Sequence, residues 1–336
     1  MSDAHTTLLS SEQALLQVRN LCVDFRLRHG NLTAVRNVSF DLHKGERLGI
    51  VGESGAGKSV TGFGIINLIS KPGFISSGSI LFEGRDLAKL DTEAVRQVRG
   101  NRISMIFQDP MMTLNPVLTV GTQMVETLMT HKNMTRSEAR RVAVDKLKQV
   151  AIPSPGKRLD QYPHEFSGGM RQRIVIAIAL LTSPAMIIAD EPTTALDVTI
   201  QADIMELLLK LCETERMGLI LITHDLAVVS QVTQKIAVMY AGSIVEMGPT
   251  EAIVSSPKHP YTRGLLAALP QAAARRKRLN QIPGVMPNLT RIPEGCPFNN
   301  RCPQCENACR KDLPLLRSLP DGSWVACHRL DCMDRK

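Results

Sequence analysis

One stretch dictates its chemistry through residue type and spacing: Gly52-Glu53-Ser54-Gly55-Ala56-Gly57-Lys58-Ser59. It fits G-x-x-x-x-G-K-[ST], a phosphate-binding loop. Glycines let the backbone curl until several N–H groups point at one anion. Lys58 can reach the β- and γ-phosphate oxygens of a nucleotide, and Ser59 can place its hydroxyl on Mg²⁺. A second constellation lies far along the chain, where Asp190 and Glu191 end the apolar run Met186-Ile187-Ile188-Ala189. Asp190 there can hold Mg²⁺ and Glu191 can act as a general base on water. The plain alternative is a strand end with solvated acids. His224 closes another apolar run and can reach a terminal phosphate or serve as a structural histidine. Gln108, just before Asp109-Pro110, either touches a metal-bound water or caps a turn. Phe25, near a polar turn, either stacks on a nucleobase or joins the core.

The elements that must position these groups predict an α/β chain. Leu48-Gly49-Ile50-Val51 reads as a short buried strand, and residues 60–69 as a helix whose N-terminal dipole adds to the phosphate site. Residues 13–51 alternate apolar and polar positions as strands do, with a turn at Arg28-His29-Gly30-Asn31. Residues 76–83 and 102–107 are further strand candidates, the second stopped by Pro110. From 114 to 163 the pattern is helical. Thr135-Arg136-Ser137-Glu138 fits a capping box, and Pro153 and Pro155 are expected to end that helix. Phe166-Ser167-Gly168-Gly169-Met170 opens another helix, with Ser167 as cap and glycines that admit an anion. Buried strands at 186–191 and 219–222 flank a helix over 198–215. A parallel sheet would deliver Asp190, Glu191 and His224 to one edge.

Composition sets outer limits. The chain has 336 residues, 43% hydrophobic and 21% charged, which suits one large or two modest globular domains. Lys plus Arg is 40 and Asp plus Glu is 32; the balance of +8 suits anionic partners such as nucleotide, nucleic acid or an anionic membrane surface. Residues 1–11 are polar and lack the apolar stretch of a secretory signal. The most apolar run, 174–189, is cut by Thr182-Ser183-Pro184 and reads as two buried elements rather than a membrane span. A cytosolic protein is expected. Cys22 and Cys212 are isolated and read as packing residues, whereas the other six cysteines crowd between Cys296 and Cys332. In a cytosolic protein such crowding favours metal or an iron–sulfur cluster over disulfides.

By His224 the motifs, in their order, resemble an ATP-binding-cassette (ABC) ATPase over roughly residues 13–270. Phe25 stands where that family has its adenine-stacking aromatic. Gly52, Glu53, Ser54, Gly55, Ala56, Gly57, Lys58 and Ser59, with Val60 beside them, resemble its Walker A nucleotide site. Gln108 resembles the Q-loop glutamine, and Phe166 to Met170 the signature motif. Asp190 and Glu191 resemble Walker B, Ala195 to Asp197 the D-loop, and His224 the H-loop histidine. Met170 and Phe166 depart from the common Gln and Leu but preserve Ser-Gly-Gly. The resemblance implies an antiparallel β subdomain, a mixed core sheet and a helical signature subdomain at about 110–175. It also implies two such domains closing head-to-tail around two ATP molecules. Ser167, Gly168, Gly169 and Asp197 would then serve the ATP held by the partner, and Ser59, Asp190 and Gln108 would organise Mg²⁺.

Finer phrasing is similar to the dipeptide/oligopeptide/nickel importers: Met105-Ile106-Phe107-Gln108-Asp109-Pro110, Leu114-Asn115-Pro116, Ala189-Asp190-Glu191-Pro192-Thr193-Thr194, and Val238-Met239-Tyr240-Ala241-Gly242. His259-Pro260-Tyr261-Thr262 belongs with them and reads as a surface turn leading into an amphipathic helix. The partners so implied are a second, related ATPase subunit, two membrane permeases and, indirectly, a periplasmic or extracellular solute-binding protein, with no nucleic acid. The implied location is the cytoplasmic face of the cell membrane, and the solute a peptide, nickel or another small molecule.

Residues 271–336 read as a linker and a small Cys-rich extension. Arg275-Arg276-Lys277-Arg278 is either a contact for anionic lipid or a solvated linker, and Pro283, Pro287 and Pro293 favour extended chain. Cys302-x2-Cys305 is short enough to share one zinc ion. Similar importer ATPases carry Cys-x5-Cys-x6-Cys and a later Cys-His, which falls here on Cys296, Cys302, Cys309 and Cys327-His328. The resemblance implies a [4Fe–4S] cluster on those four thiolates, with Cys305 and Cys332 as extras. A soluble ABC protein acting on ribosomes or DNA is the competing class, but it usually carries two cassettes or a long coiled coil. A small-molecule P-loop kinase would lack the signature and D-loop.

Overall fold

Two sheets position the residues named above. The computed structural model describes residues 14–28, 30–194, 196–269 and 281–330. The basic run 275–278, Ala195 and Cys332 lie outside them. The first sheet is antiparallel, in the order β2-β1-β4-β5, built from β1 (Leu16–Leu27), β2 (Gly30–Leu42), β4 (Gly73–Phe82) and β5 (Arg85–Asp86). Its strands bury alternate residues, as period-2 side chains must. β1 is one strand of 12 residues rather than two, bent by register shifts between Val18 and Asp24.

The second sheet has eight strands. Its parallel centre is β9-β3-β8-β7-β6, formed by β3 (Arg47–Val51), β6 (Ile103–Ile106), β7 (Met186–Asp190), β8 (Gly218–Thr223) and β9 (Lys235–Tyr240). β10 (Ser243–Pro249) joins β9 antiparallel, and the two-residue β12 (Trp324–Val325) and β11 (Arg317–Ser318) extend that edge. Part of the Cys-rich region is thus woven into the main sheet. The central strands are buried on both faces, which is why they read as continuous apolar runs. Leu219 and Leu221 of β8 face one core and Ile220 and Ile222 the other. Each such side chain contributes about 1.5–3 kcal/mol by leaving water.

Register explains convergence. Val51 pairs with Thr223, Asp190 with Ile222, and Ile106 with Ala189. The C-terminal ends of four parallel strands therefore reach one edge together, where open α/β sheets form their ligand crevice.

Helices carry the rest. Lys58–Ile65 follows β3; it stops short of residue 69 because Asn67 turns left-handed, at φ 51°, ahead of Pro72. Between β6 and β7 lie Val120–His131, Arg136–Gln149 and Gly168–Ala179. Thr135 and Glu138 form a reciprocal capping box at the second. That helix ends before Pro153 is reached, with Val150 as cap and Ala151 left-handed at φ 58°; Pro155 instead opens a short turn of helix, Pro155–Arg158. Among the described residues no helix is long and apolar enough to cross a membrane.

Candidate active site

The turn after β3 creates the largest feature of the crevice. Gly57 caps helix Lys58–Ile65 at φ 97°, and a Cβ there would meet the Ala34 carbonyl oxygen at 2.6 Å, so only glycine fits. The first N–H groups of that helix have no intrahelical acceptor and face the loop. Lys58 is 5% exposed, and its Nζ donates to the Gly52 and Glu53 carbonyls at 2.9 and 3.1 Å. Burial lowers its pKa, while Glu191, Asp190 and Glu53 work to keep it charged. Ser59 Oγ donates to Asp190 Oδ1 at 2.9 Å. Asp190 is 3% exposed, and burial raises its pKa against that hydrogen bond. These are hard oxygen donors in contact beside a phosphate-type loop, a set that suits Mg²⁺.

Glu191 sits at the centre of the polar edge. Its backbone is left-handed at φ 45°, while its N–H still donates to the Ile222 carbonyl at 2.8 Å. Such a backbone costs on the order of 1–3 kcal/mol and turns the side chain out of the strand direction. Gln108 Nε2 and Thr194 Oγ1 each donate to Glu191 Oε2 at 2.9 Å, and His224 Nδ1 lies 3.4 Å from Oε1. A carboxylate so held is oriented toward the same cleft as Lys58. That cleft, about 1020 Å³, is lined by Phe25, Gly52 to Gly55, Gly57 to Val60, Gln108, Glu191 and His224. Ala56 and Asp190 lie behind this lining. Phe25 is half-buried and lines the same cleft with Leu27, Leu32 and Pro72.

Sequence comparison now decides the family. A family model described as ABC transporter matches residues 35–194, and one described as Oligopeptide/dipeptide transporter, C-terminal region, matches residues 245–309. The dipeptide transport ATP-binding protein DppD of Escherichia coli (strain K12) is 49% identical over 315 residues, 94% of this chain and 96% of that protein. DppD of Bacillus subtilis (strain 168) is 50% identical over 320 residues, 95% of this chain and 96% of that protein.

The chain belongs to the ATP-binding subunits of dipeptide/oligopeptide ABC transporters.

It is an ABC-type ATPase. Its fold is that of solved cassettes. The dimeric post-hydrolysis structure of the ATP-binding cassette MJ0796 bound to ADP and Pi matches with a TM-score of 0.63 and 27% identity, over 70% of this chain and 98% of that one. Against the cassette motifs, the signature segment stands apart from the chain's own cleft. Ser167 and Gly168 are exposed, Ser167 Oγ accepts from the Met170 N–H at 3.4 Å, and neither lines the cleft. Phe166 is buried, with Arg158 over its ring at 5.6 Å and its carbonyl accepting from Arg171 Nε. Asp197 is exposed at the cap position of helix Val198–Glu215.

The His259 segment corrects the expected surface turn. His259 is 1% exposed and Tyr261 is fully buried. Buried Glu246 accepts from the Lys258 and His259 N–H groups at 2.6 and 3.0 Å, and His259 Nδ1 accepts from the Tyr261 N–H at 3.1 Å. Tyr261 then accepts from the Glu53 N–H at 2.9 Å, under the phosphate loop. The polar lettering of the segment signals surface, but the hydrogen bonds of His259 and Tyr261 are made internally.

Cys296, Cys302, Cys309 and Cys327 line one small pocket, together with His328. Cys305 does not. Burial pushes the Cys296 thiol up to about 12 and raises Cys302 and Cys327 as well. The donor set is four soft sulfurs. Among the described residues no three His, Cys, Asp or Glu side chains are arranged to hold a single metal ion.

Sequence reasoning missed Leu265 and Leu289, which line the nucleotide cleft from the C-terminal side. It also missed Arg301, whose guanidinium reaches Glu53. No local pattern marks either.

Proposed function

We propose that residues 13–270 form one half of a head-to-tail ATPase dimer that powers peptide import through two partner permeases at the cytoplasmic face of the membrane, with 271–336 as its C-terminal extension. One observation carries the reading: the phosphate loop, Gln108, Glu191 and His224 share a single cleft. ATP would lie with its base against Phe25 and its phosphates on the amides that open helix Lys58–Ile65. Lys58, now bonded to loop carbonyls, would swing to the β- and γ-phosphates and neutralise developing charge. Glu191 would accept a proton from the attacking water, oriented by Gln108, Thr194 and His224. Mg²⁺ would be held by Ser59 with Asp190 and Gln108, and supplies positive charge to the phosphate oxygens. Ser167, Gly168, Gly169 and Asp197 do not line this cleft and would complete the partner's. A related ATPase subunit is the partner that the resemblance favours. The relatives' names, which specify dipeptide transport, support a peptide as solute.

The four thiols of Cys296, Cys302, Cys309 and Cys327 around one small pocket are the donor set of a [4Fe–4S] cluster, with zinc as the alternative. Such a group would tie the extension together; the hydrolytic steps above run without it.

The test is reconstitution of the full chain with its permeases and partner ATPase in liposomes. Peptide uptake and phosphate release should both depend on ATP and on Lys58. Uptake that continues without ATP, or phosphate that appears on an acceptor molecule, would overturn the reading.

A further inference from the structure

Glu53 is the first variable residue of the phosphate loop, and its carboxylate is a liability there. A triphosphate brings several negative charges to the same loop, and like charges at such range oppose binding. The fold answers this charge from 248 residues away. Arg301 NH1 donates to Glu53 Oε2 at 2.8 Å and NH2 to Oε1 at 3.0 Å, a two-point fork on one carboxylate. The Arg301 side chain is only 7% exposed. Its remaining donors are also placed: Nε donates to the Pro283 carbonyl at 2.9 Å, and NH1 lies 3.4 Å from the Tyr240 hydroxyl. The guanidinium sits 5.8 Å from the Tyr240 ring centroid and 5.9 Å from that of Phe298. A guanidinium held on every side cannot follow a moving carboxylate; it fixes one.

The loop is gripped at a second point from the same quarter. The Glu53 N–H is committed to the Tyr261 hydroxyl at 2.9 Å, so this amide is turned away from the anion and the phosphates are left to the later amides of the loop. Tyr261 packs edge-on to Tyr240 at 4.7 Å and tilted against Phe298 at 5.5 Å, so both grips share one aromatic wall. The chain between them lies on the loop itself: a Cβ at Gly55 would meet the Met286 Cε at 3.0 Å.

We infer that Arg301, in the Cys-rich extension, is a positioning residue for the phosphate loop: it neutralises Glu53 and holds the loop in its anion-binding shape, which makes the extension part of the ATP site. The inference rests on ATP as the ligand of that loop.

The experiment is equilibrium titration of the full-length chain with MgATP at fixed ionic strength, with thermal melting of the same samples. Arg301→Gln strands the Glu53 carboxylate beside the triphosphate and should weaken ATP binding by about 10- to 100-fold. Glu53→Gln/Arg301→Gln removes both charges and should recover most of that loss. A purely structural arginine predicts the opposite pattern, a lower melting temperature with unchanged ATP affinity, or losses that simply add in the double variant; either overturns the inference. Arg301→Lys keeps the charge and gives up the fork. It should weaken binding by a smaller factor, and it decides the matter if Arg301→Gln does not fold: unchanged affinity in a folded Arg301→Lys protein then refutes the inference. Failure of the wild-type chain to bind ATP would instead refute the nucleotide reading itself.

Discussion

Acid should loosen this protein through His259, and the size of the effect follows from where that ring sits. His259 is 1% exposed at the N-terminus of helix Pro260–Ala267, with its Nδ1 accepting from the Tyr261 N–H at 3.1 Å. A protonated Nδ1 could not accept that bond, and complete burial lowers the pKa from 6.5 to about 3. The unfolded chain takes up the proton as pH falls through 6.5, while the folded chain refuses it until about 3. The stability contributed by the neutral ring is thus present above 6.5 and lost as pH falls below it. At pH 5, 1.5 units below the unfolded value, the loss is about 2 kcal/mol at about 1.36 kcal/mol per unit. Any folded value below about 4 gives nearly the same figure, because pH 5 still lies above it. The control is His259→Asn, which keeps a side-chain acceptor at the cap and does not titrate. Urea midpoints of both proteins at pH 7.5 and 5 give the contrast, in which every other titrating group cancels. The wild type should lose about 2 kcal/mol more than the variant across this interval. A difference near zero would mean that the ring is protonated in the folded state, and that the buried turn under the phosphate loop is built otherwise than described.

Three further outcomes follow from the site. Glu191→Gln keeps the shape of the side chain and an oxygen for the Gln108 and Thr194 donors but removes the base; turnover should fall by about 10²–10⁴ while ATP stays bound in closed dimers, and hydrolysis at the wild-type rate would show the base assignment to be wrong. Ser167→Ala should lower hydrolysis by the assembled dimer while the isolated chain binds ATP as before, since Ser167 does not line its own cleft; equal loss of ATP binding in the isolated chain would place Ser167 in cis. Anaerobically prepared protein should carry iron and sulfide with a brown colour that Cys302→Ser removes and Cys305→Ser leaves, whereas colourless protein with stoichiometric zinc, prepared with or without air, would replace the cluster by a single ion.

What could be read in advance divides along a physical line. Gly52 to Ser59 had to be contiguous, because one turn of backbone must wrap one phosphate. Asp190, Glu191 and His224 were legible because parallel strands bring their C-terminal ends to one edge, and their apolar runs announce those ends. The capping box at Thr135 and the helix Val198–Glu215 were legible for the same reason, local chemistry that needs no distant partner. The misjudged pieces depend on partners far away in sequence. His259-Pro260-Tyr261-Thr262 is polar by lettering, yet it is buried: the Glu246 carboxylate on β10 takes the His259 N–H, and the Tyr261 hydroxyl takes the N–H of Glu53, 208 residues away. Strands of two residues, such as Trp324–Val325, are too short to show a period, so the joining of the extension to the main sheet left no trace.

The same reasoning changes the standing of the extension. As a string, residues 281–330 are prolines, cysteines and scattered charges, and a short chain of that kind reads as an appendage needing a staple. In space it pairs with β10, walls the nucleotide cleft with Leu289, and answers the one carboxylate in the phosphate loop with Arg301. Glu53 and Arg301 are each unremarkable alone. A glutamate in a phosphate-binding loop opposes its ligand, and an arginine beside buried thiols has no anion of its own. Each becomes tolerable only when the other is present, so the loop and the extension must be read as a single unit.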